Sequence, residues 1–434
     1  MGDHHHPPLR PPGLGNGADR LPRRGAAGAG HRPLGLEPVA PRARCQGAGT
    51  QDGRGGRQAG LVDAGARHPM MPPLPRRALL AAGAAGVLAR RAVAEEPGLA
   101  ALAAARGIAF GSMACEYHLR ETPALWPLLR REAGFIVPGL ELKWAASEPE
   151  PGRFAFTDAE ALLARAREAG MAAHGHALVW HEALPPWFDA KLDAAGMRQV
   201  LRRHIAGVAG HFASQLAVWD VVNEPVAPHE RQPRGLRDTP FLRAMGPDYI
   251  PLALEWAAEA DPAAKLRINE FDLELRNSYQ QDRREAMLEL LNTLVRRRAP
   301  LHALGIQAHL RLREASWDAE LLRRFIRDVA SLGLEVHITE LDIIDRLAPA
   351  DPAARDAEAA ATLREFLSAV LAEPAVNTIA LWGLTDRYAW ASDNSFARRR
   401  DGLPSRAHPY DTDLRPKPDR AAIAAALRDT PRPG

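Results

Sequence analysis

From about residue 107 to the C-terminus, short apolar runs rich in β-branched residues alternate with longer stretches in which apolar positions recur every three or four residues. The first kind reads as buried strand and the second as amphipathic helix. Strands are predicted over 108–112, 135–142, 172–179, 217–223, 266–271, 305–310, 334–341 and 378–384. The segments 158–169 and 318–331 are helical in pattern, with Thr157 and Ser316 as candidate N-caps. Several helices are expected to stop at glycine (Gly134, Gly170, Gly333) just ahead of the next strand. The stretch 348–361 reads as a loop entering a helix. Eight strands alternating with helices point to an α/β fold, a parallel sheet closed into a (β/α)8 TIM barrel. A doubly wound open sheet is the alternative, but no glycine fingerprint follows the first strand.

Composition changes sharply before this region. Residues 1–69 hold 15 Gly, 9 Pro and 10 Arg and no Ile, Phe, Trp, Tyr or Lys, so they cannot bury a core. Their 10 Arg against 5 acids give +5, whereas the whole chain is +3, so residues 70–434 carry −2. The basic pI therefore comes from the extension and is no argument for nucleic-acid binding. Met70-Met71, the pair Arg76-Arg77, the apolar run 78–89 and Ala92-Val93-Ala94 follow in the order of a signal peptide of twin-arginine type. The apolar run is too short and too rich in Ala and Gly to span a membrane stably. The expectation is an extension over 1–69 that is disordered or is upstream sequence read through. A signal peptide over 70–94 and one catalytic domain over 95–434 would follow, with translation starting at Met70 or Met71. The product would be exported, periplasmic or secreted, with no lasting membrane association. Cys115 is the sole cysteine beyond the extension, so packing rather than a disulfide must hold the domain.

In such a barrel the chemistry lies at the C-terminal ends of the strands. Lys143, His176, Asn223, Glu224, His309, Glu340 and Trp382 all fall where apolar runs end. A buried carboxylate there must be paired, bound or used. Glu224 and Glu340, on the fourth and seventh predicted strands, suit the acid and the nucleophile of a glycosidase that retains anomeric configuration. His174, His176 and His181 leave a metal reading open, since His-x-His on a strand can bind zinc. Trp180, Trp382 and Trp390 fall at strand ends or loops, where flat apolar faces can stack on sugar rings. Trp126, Trp144, Trp187, Trp256 and Trp317 read as scaffold.

The runs Ala173-His174-Gly175-His176-Ala177-Leu178-Val179-Trp180-His181, Trp219-Asp220-Val221-Val222-Asn223-Glu224-Pro225, Ile338-Thr339-Glu340-Leu341-Asp342 and Leu381-Trp382-Gly383-Leu384-Thr385-Asp386 resemble the signatures of family 10 glycoside hydrolases. Glu141-Leu142-Lys143-Trp144, Gly305-Ile306-Gln307-Ala308-His309 and Lys417-Pro418 extend the likeness, which covers about Ile108 to Leu427 in the family's order. The resemblance implies a TIM-barrel endo-β-1,4-xylanase acting on xylan, with no cofactor and no metal. It implies Glu224 as acid/base and Glu340 as nucleophile. Asn223 would bond the sugar 2-hydroxyl, His309 would hold the nucleophile, and His176 and Lys143 would bond sugar hydroxyls. Gln307 would contact the nucleophile strand, and Trp382 and Trp390 would wall the glycone subsites. A related β-1,4-glycanase acting on glucan is the alternative within the class, and a non-hydrolytic glycan-binding protein the alternative outside it.

The chain departs from the family at Gly139-Leu140, where Glu-Asn is usual, at Ala183 in place of Gln, and at Glu270-Phe271-Asp272 in place of Asp-Tyr-Asn. Each lost hydrogen bond weakens sugar binding by roughly 1–3 kcal/mol. The expectation is weak activity on short linear xylo-oligosaccharides or a preference for a decorated chain.

Overall fold

A computed structural model describes residues 96–314 and 316–431. The predicted extension over 1–69 and signal peptide over 70–94 lie outside the described residues. The barrel strands are β1 (Ala109–Ala114), β2 (Phe135–Pro138), β3 (Ala172–Gly175), β4 (Val218–Asn223), β5 (Lys265–Glu270), β6 (Ala303–Ile306), β7 (Glu335–Ile344) and β8 (Val376–Leu381). Each pairs in parallel with the next, and β8 pairs with both β7 and β1, which closes the ring. This is the predicted (β/α)8 barrel.

A helix follows each strand because the intervening sequence carries one apolar stripe. Leu322, Phe325, Ile326 and Val329 of the helix Ala319–Ala330 are buried in the same cluster as Val336, Ile338, Leu341 and Ile343 of β7. The predicted caps are corrected. The helix Thr157–Glu168 starts at Thr157 itself, with Phe156 before it and no side-chain cap. The helix Ala319–Ala330 is capped by Asp318, whose carboxylate accepts from Leu321 N at 3.0 Å, not by Ser316. Aspartate suits that position because its side-chain oxygen reaches a free amide of the first turn. Gly170 and Gly333 have positive φ, as a helix C-terminus asks, but Gly134 does not.

Several strand ends are corrected too. β2 stops at Pro138, and Lys143 precedes the short helix Trp144–Ser147 rather than ending a strand. β3 stops at Gly175 rather than Val179. The predicted strand over 305–310 divides into β6 and a short strand, His309–Arg311, which pairs with the far end of β7. β7 runs on to Ile344, so Glu340 lies within a strand. It still reaches the barrel mouth, because pairing with β6 ends at Ile338.

Two register shifts shape the barrel mouth. In β7 the buried apolar set changes parity, from Val336 and Ile338 to Leu341 and Ile343. The pairing with β8 slips by one residue between Ile338 and Leu341. A bulge of this kind adds one residue to one strand and re-aims the side chains beyond it. Thr339 and Glu340, adjacent in sequence, therefore both bond Asn269 on the polar side. β4 shifts likewise between Asp220 and Val222, so that Asp220 and Asn223 both take part in the buried polar interior.

Candidate active site

The mouth of the barrel is organised around Asn269, the fifth residue of β5. Its Nδ2 donates to Glu340 Oε1 at 2.7 Å and to Asn223 Oδ1 at 2.9 Å, and its Oδ1 accepts from Thr339 Oγ1 at 2.6 Å. The amide fits because β6 carries glycine opposite it: a Cβ on Gly305 would lie 2.4 Å from Asn269 Oδ1. Gln307 Nε2 donates to Glu224 Oε1 at 3.2 Å, and Asn223 Nδ2 donates to the same oxygen at 3.3 Å. Glu340, Asn269, Asn223 and Glu224 thus form one continuous hydrogen-bonded chain across the mouth. The two glutamates are both buried.

Their surroundings differ. Glu340 Oε2 accepts from His309 Nε2 at 3.2 Å, and His309 Nδ1 donates to Asp342 Oδ1 at 2.7 Å. Burial opposes a charge on His309, but Asp342 and Glu340 outweigh it and raise its pKa to about 10. His309 is therefore an imidazolium at neutral pH. Burial alone would raise the pKa of Glu340, but the hydrogen bond from His309 and the fields of His176 and His309 bring it below the ordinary carboxylate value. Glu340 is ionised, while Glu224 is met by amides.

Glu224 sits just past β4 with φ +58. A non-glycine residue in that left-handed region costs roughly 1–3 kcal/mol and persists only where its neighbours hold it. Its amide donates to Asn269 O at 2.8 Å, and its carbonyl accepts from Arg237 Nε at 2.7 Å.

The remaining predicted residues gather round the same mouth. His176 Nδ1 lies 3.0 Å from Asp220 Oδ2 and 3.9 Å from Glu340 Oε1. Arg267 holds Asp220 from the other side at 2.6 and 3.0 Å. Burial would raise the pKa of Asp220, but Arg267 and His176 keep it well below the carboxylate range. Trp382 packs edge-on against His176, with ring centroids 5.1 Å apart, and Trp390 against His309 at 4.9 Å. The Trp390 indole also donates to Asp342 Oδ2. Lys143 is buried with its ammonium 4.8 Å from the centre of the Trp180 ring and 6.0 Å from that of Trp382. Burial lowers its pKa, with Glu340 the main opposing charge. Among the described residues its ammonium has no hydrogen bond or ion pair, so a plain salt bridge does not explain it. The indole nitrogen of Trp180 is likewise buried without a partner among the described residues.

The three histidines of the His-x-His region separate. His174 stacks on Phe135 at 4.0 Å, and His181 lies 3.5 Å from Glu182. Among the described residues no three His, Cys, Asp or Glu side chains converge as a metal site. Asn269, Thr339 and Arg237 were not singled out from sequence, and Glu270 only as a departure from the family pattern. The signal available was Arg267, Asn269 and Glu270 intruding into an otherwise apolar strand, since polar groups inside a barrel are placed there for a partner.

The departures have structural counterparts. A Cβ on Gly139 would meet Met113 Sδ at 2.7 Å and Cys115 Sγ at 2.9 Å, so these sulfur atoms occupy the space beside it. Leu140 is exposed. The Ala183 carbonyl accepts from Ala145 N. Phe271 faces two guanidinium groups, Arg283 at 4.2 Å and Arg237 at 5.4 Å from its ring centre.

Residues 98–426 match the model of Glycosyl hydrolase family 10. Endo-1,4-beta-xylanase B of Thermotoga neapolitana is 32% identical over 267 residues, covering 60% of this chain and 72% of that protein. Native xylanase 10B of Thermotoga maritima superposes with a TM-score of 0.68 at 30% identity, over 76% of this chain and 98% of that one. Xylanase 10B of Thermotoga petrophila RKU-1 in complex with xylobiose superposes with a TM-score of 0.67 at 30% identity, over 76% and 97%. With the closed parallel barrel and a match across most of the described residues, the chain belongs to glycosyl hydrolase family 10.

Proposed function

We propose that the protein is an exported endo-β-1,4-xylanase that retains anomeric configuration by double displacement. The observation that carries the reading is the unequal treatment of two linked, buried carboxyls: Glu340 is bonded to an imidazolium, and Glu224 to amides. An ionised carboxylate is what a nucleophile needs, and the carboxyl whose hydrogen-bond donors are neutral amides takes the acid/base role. In the first step a Glu340 oxygen attacks the anomeric carbon. The bond to the leaving oxygen breaks, and Glu224 supplies that oxygen with a proton. In the second, Glu224 takes a proton from water, the water oxygen attacks the same carbon, and Glu340 is released. Asn223, fixed by Asn269, offers its amide to the 2-hydroxyl, a contact that strengthens as the transition state forms. His176 and Lys143 are donors for other sugar hydroxyls, and Trp180, Trp382 and Trp390 form the walls.

The test is a pair of variants on two substrates. Glu340→Ala abolishes turnover of both xylan and an aryl xylobioside. Glu224→Ala loses most activity on xylan but spares an aryl glycoside with a good leaving group, which needs little protonation. Near-full activity in both variants rejects the assignment. A reducing-sugar assay on xylan beside mixed-linkage glucan separates the two polymers, and a mature N-terminus near Met1 would reject the proposed signal peptide.

A further inference from the structure

Every backbone polar group of the turn Glu224-Pro225-Val226 has a partner, and three charged side chains supply most of them. The Glu224 carbonyl accepts from Arg237 Nε at 2.7 Å, and the Pro225 carbonyl accepts from the Arg237 amide at 2.7 Å. The Val226 amide donates to Glu270 Oε2 at 3.0 Å. The Val226 carbonyl accepts from Arg283 Nη1 at 2.8 Å and from Arg237 Nη2 at 3.3 Å. Arg283 Nη2 in turn donates to Glu270 Oε1, which also accepts from the Phe271 amide at 3.0 Å. Arg237, Glu270 and Arg283 are all buried, and the Phe271 ring lies against both guanidinium groups.

We propose that Glu270, Arg237 and Arg283 are positioning residues for Glu224, a clamp that holds its backbone in the left-handed conformation and so aims its carboxyl at the leaving oxygen. The proposal rests on reading Glu224 as the acid/base. The clamp closes on the stretch of backbone that carries Glu224 past the end of β4, and the left-handed residue would relax without it. Glu270 is suited to grip both the Val226 amide and Arg283 because it is the last residue of β5, the strand beside β4. Arg237 and Arg283 bond the main chain of this turn and act through it. The clamp therefore sets where the acid stands and leaves the nucleophile alone, since Glu340 is held by Asn269 and His309.

The experiment is kinetics of Glu270→Gln on xylan and on an aryl xylobioside with a good leaving group, with Glu224→Ala measured beside it. The glutamine amide cannot accept from both the Val226 amide and Arg283, so one grip opens. A displaced acid lowers kcat on xylan by about tenfold to a hundredfold, part of the 10²–10⁴ that general acid catalysis supplies, with KM little changed. The activated substrate keeps its rate. Equal losses on both substrates, or no loss on either, overturn the clamp, because a loosened barrel would depress both alike. If Glu270→Gln does not fold, Arg237→Lys decides, since it keeps the charge and removes the fork that holds Glu224 O and Val226 O together. Glu224→Ala separates the two levels: if it shows no dependence on the leaving group, the acid assignment falls; if it does and the clamp variants do not, the clamp alone falls.

Discussion

His309→Gln is the sharpest probe of the electrostatics. Glutamine can still donate one hydrogen bond to Glu340 but carries no charge. The structure puts His309 Nε2 3.2 Å from Glu340 Oε2 and His309 Nδ1 2.7 Å from Asp342 Oδ1. At an effective dielectric constant of about 20, a unit positive charge at that distance stabilises ionised Glu340 by about 5 kcal/mol. That figure is a ceiling, because side chains and water relax around the change. Loss of His309 also leaves Asp342 as an uncompensated neighbour. Both changes remove support for the ionised form, so the pKa of Glu340 rises. The assay is the pH profile of kcat/KM on an aryl xylobioside with a good leaving group, so that the acid/base does not limit the acid limb. The limb moves toward neutrality, with a loss of at least about tenfold at the pH of the original midpoint. An acid limb within half a unit of the native one would refute the role given to His309.

Folding stability should fall on the alkaline side through the same residue. His309 has a pKa raised to about 10 in the folded protein, against an ordinary value of 6.5, so its stabilisation is fully present below pH 6.5 and is lost as pH rises through 10. Urea unfolding at pH 6.5 and 9.5 should show a larger loss in the native protein than in His309→Gln, by up to about 1.4 kcal/mol per pH unit; equal losses would contradict it. Asn269→Ala removes one hydrogen bond to a carboxylate and two between neutral groups, so unfolding should be easier by about 4 kcal/mol, and turnover of the activated substrate should fall as well. A thermal midpoint unchanged within a degree would remove Asn269 from its central place. With Gly139 and Leu140 offering no polar side chain, rates on substituted xylan should exceed those on short linear xylo-oligosaccharides. Ordinary fast cleavage of xylobiosides would reject this.

The barrel and the two glutamates were legible because they are local patterns. Runs such as Ile338-Thr339-Glu340 and Val221-Val222-Asn223-Glu224 set a polar residue against an apolar strand, and the periods of strand and helix give the order of elements. The caps were less so: Thr157 and Asp318 are both good cap residues, and only the path of the chain decides which one turns its oxygen onto a free amide. Lys143 looked like a strand end because Leu140, Glu141 and Leu142 continue the pattern of the strand before it, yet Pro138 ends the pairing. Asn269 and Arg237 were missed, and Glu270 was noted only as a departure, because nothing in their own segments says what they face.

The sequence alone determined that eight parallel strands would form, that carboxyls would stand at two of them, and that the barrel mouth would be rich in tryptophan and histidine. It determined this because burial and backbone periodicity act between near neighbours in the chain. The tertiary structure decided which of those groups share a proton or a charge. A strict two-residue alternation would put Thr339 and Glu340 on opposite faces of β7, and the one-residue slip against β8 brings both onto Asn269. A slip of that kind is set by how neighbouring strands pack around a closed ring, and so by residues far apart in sequence.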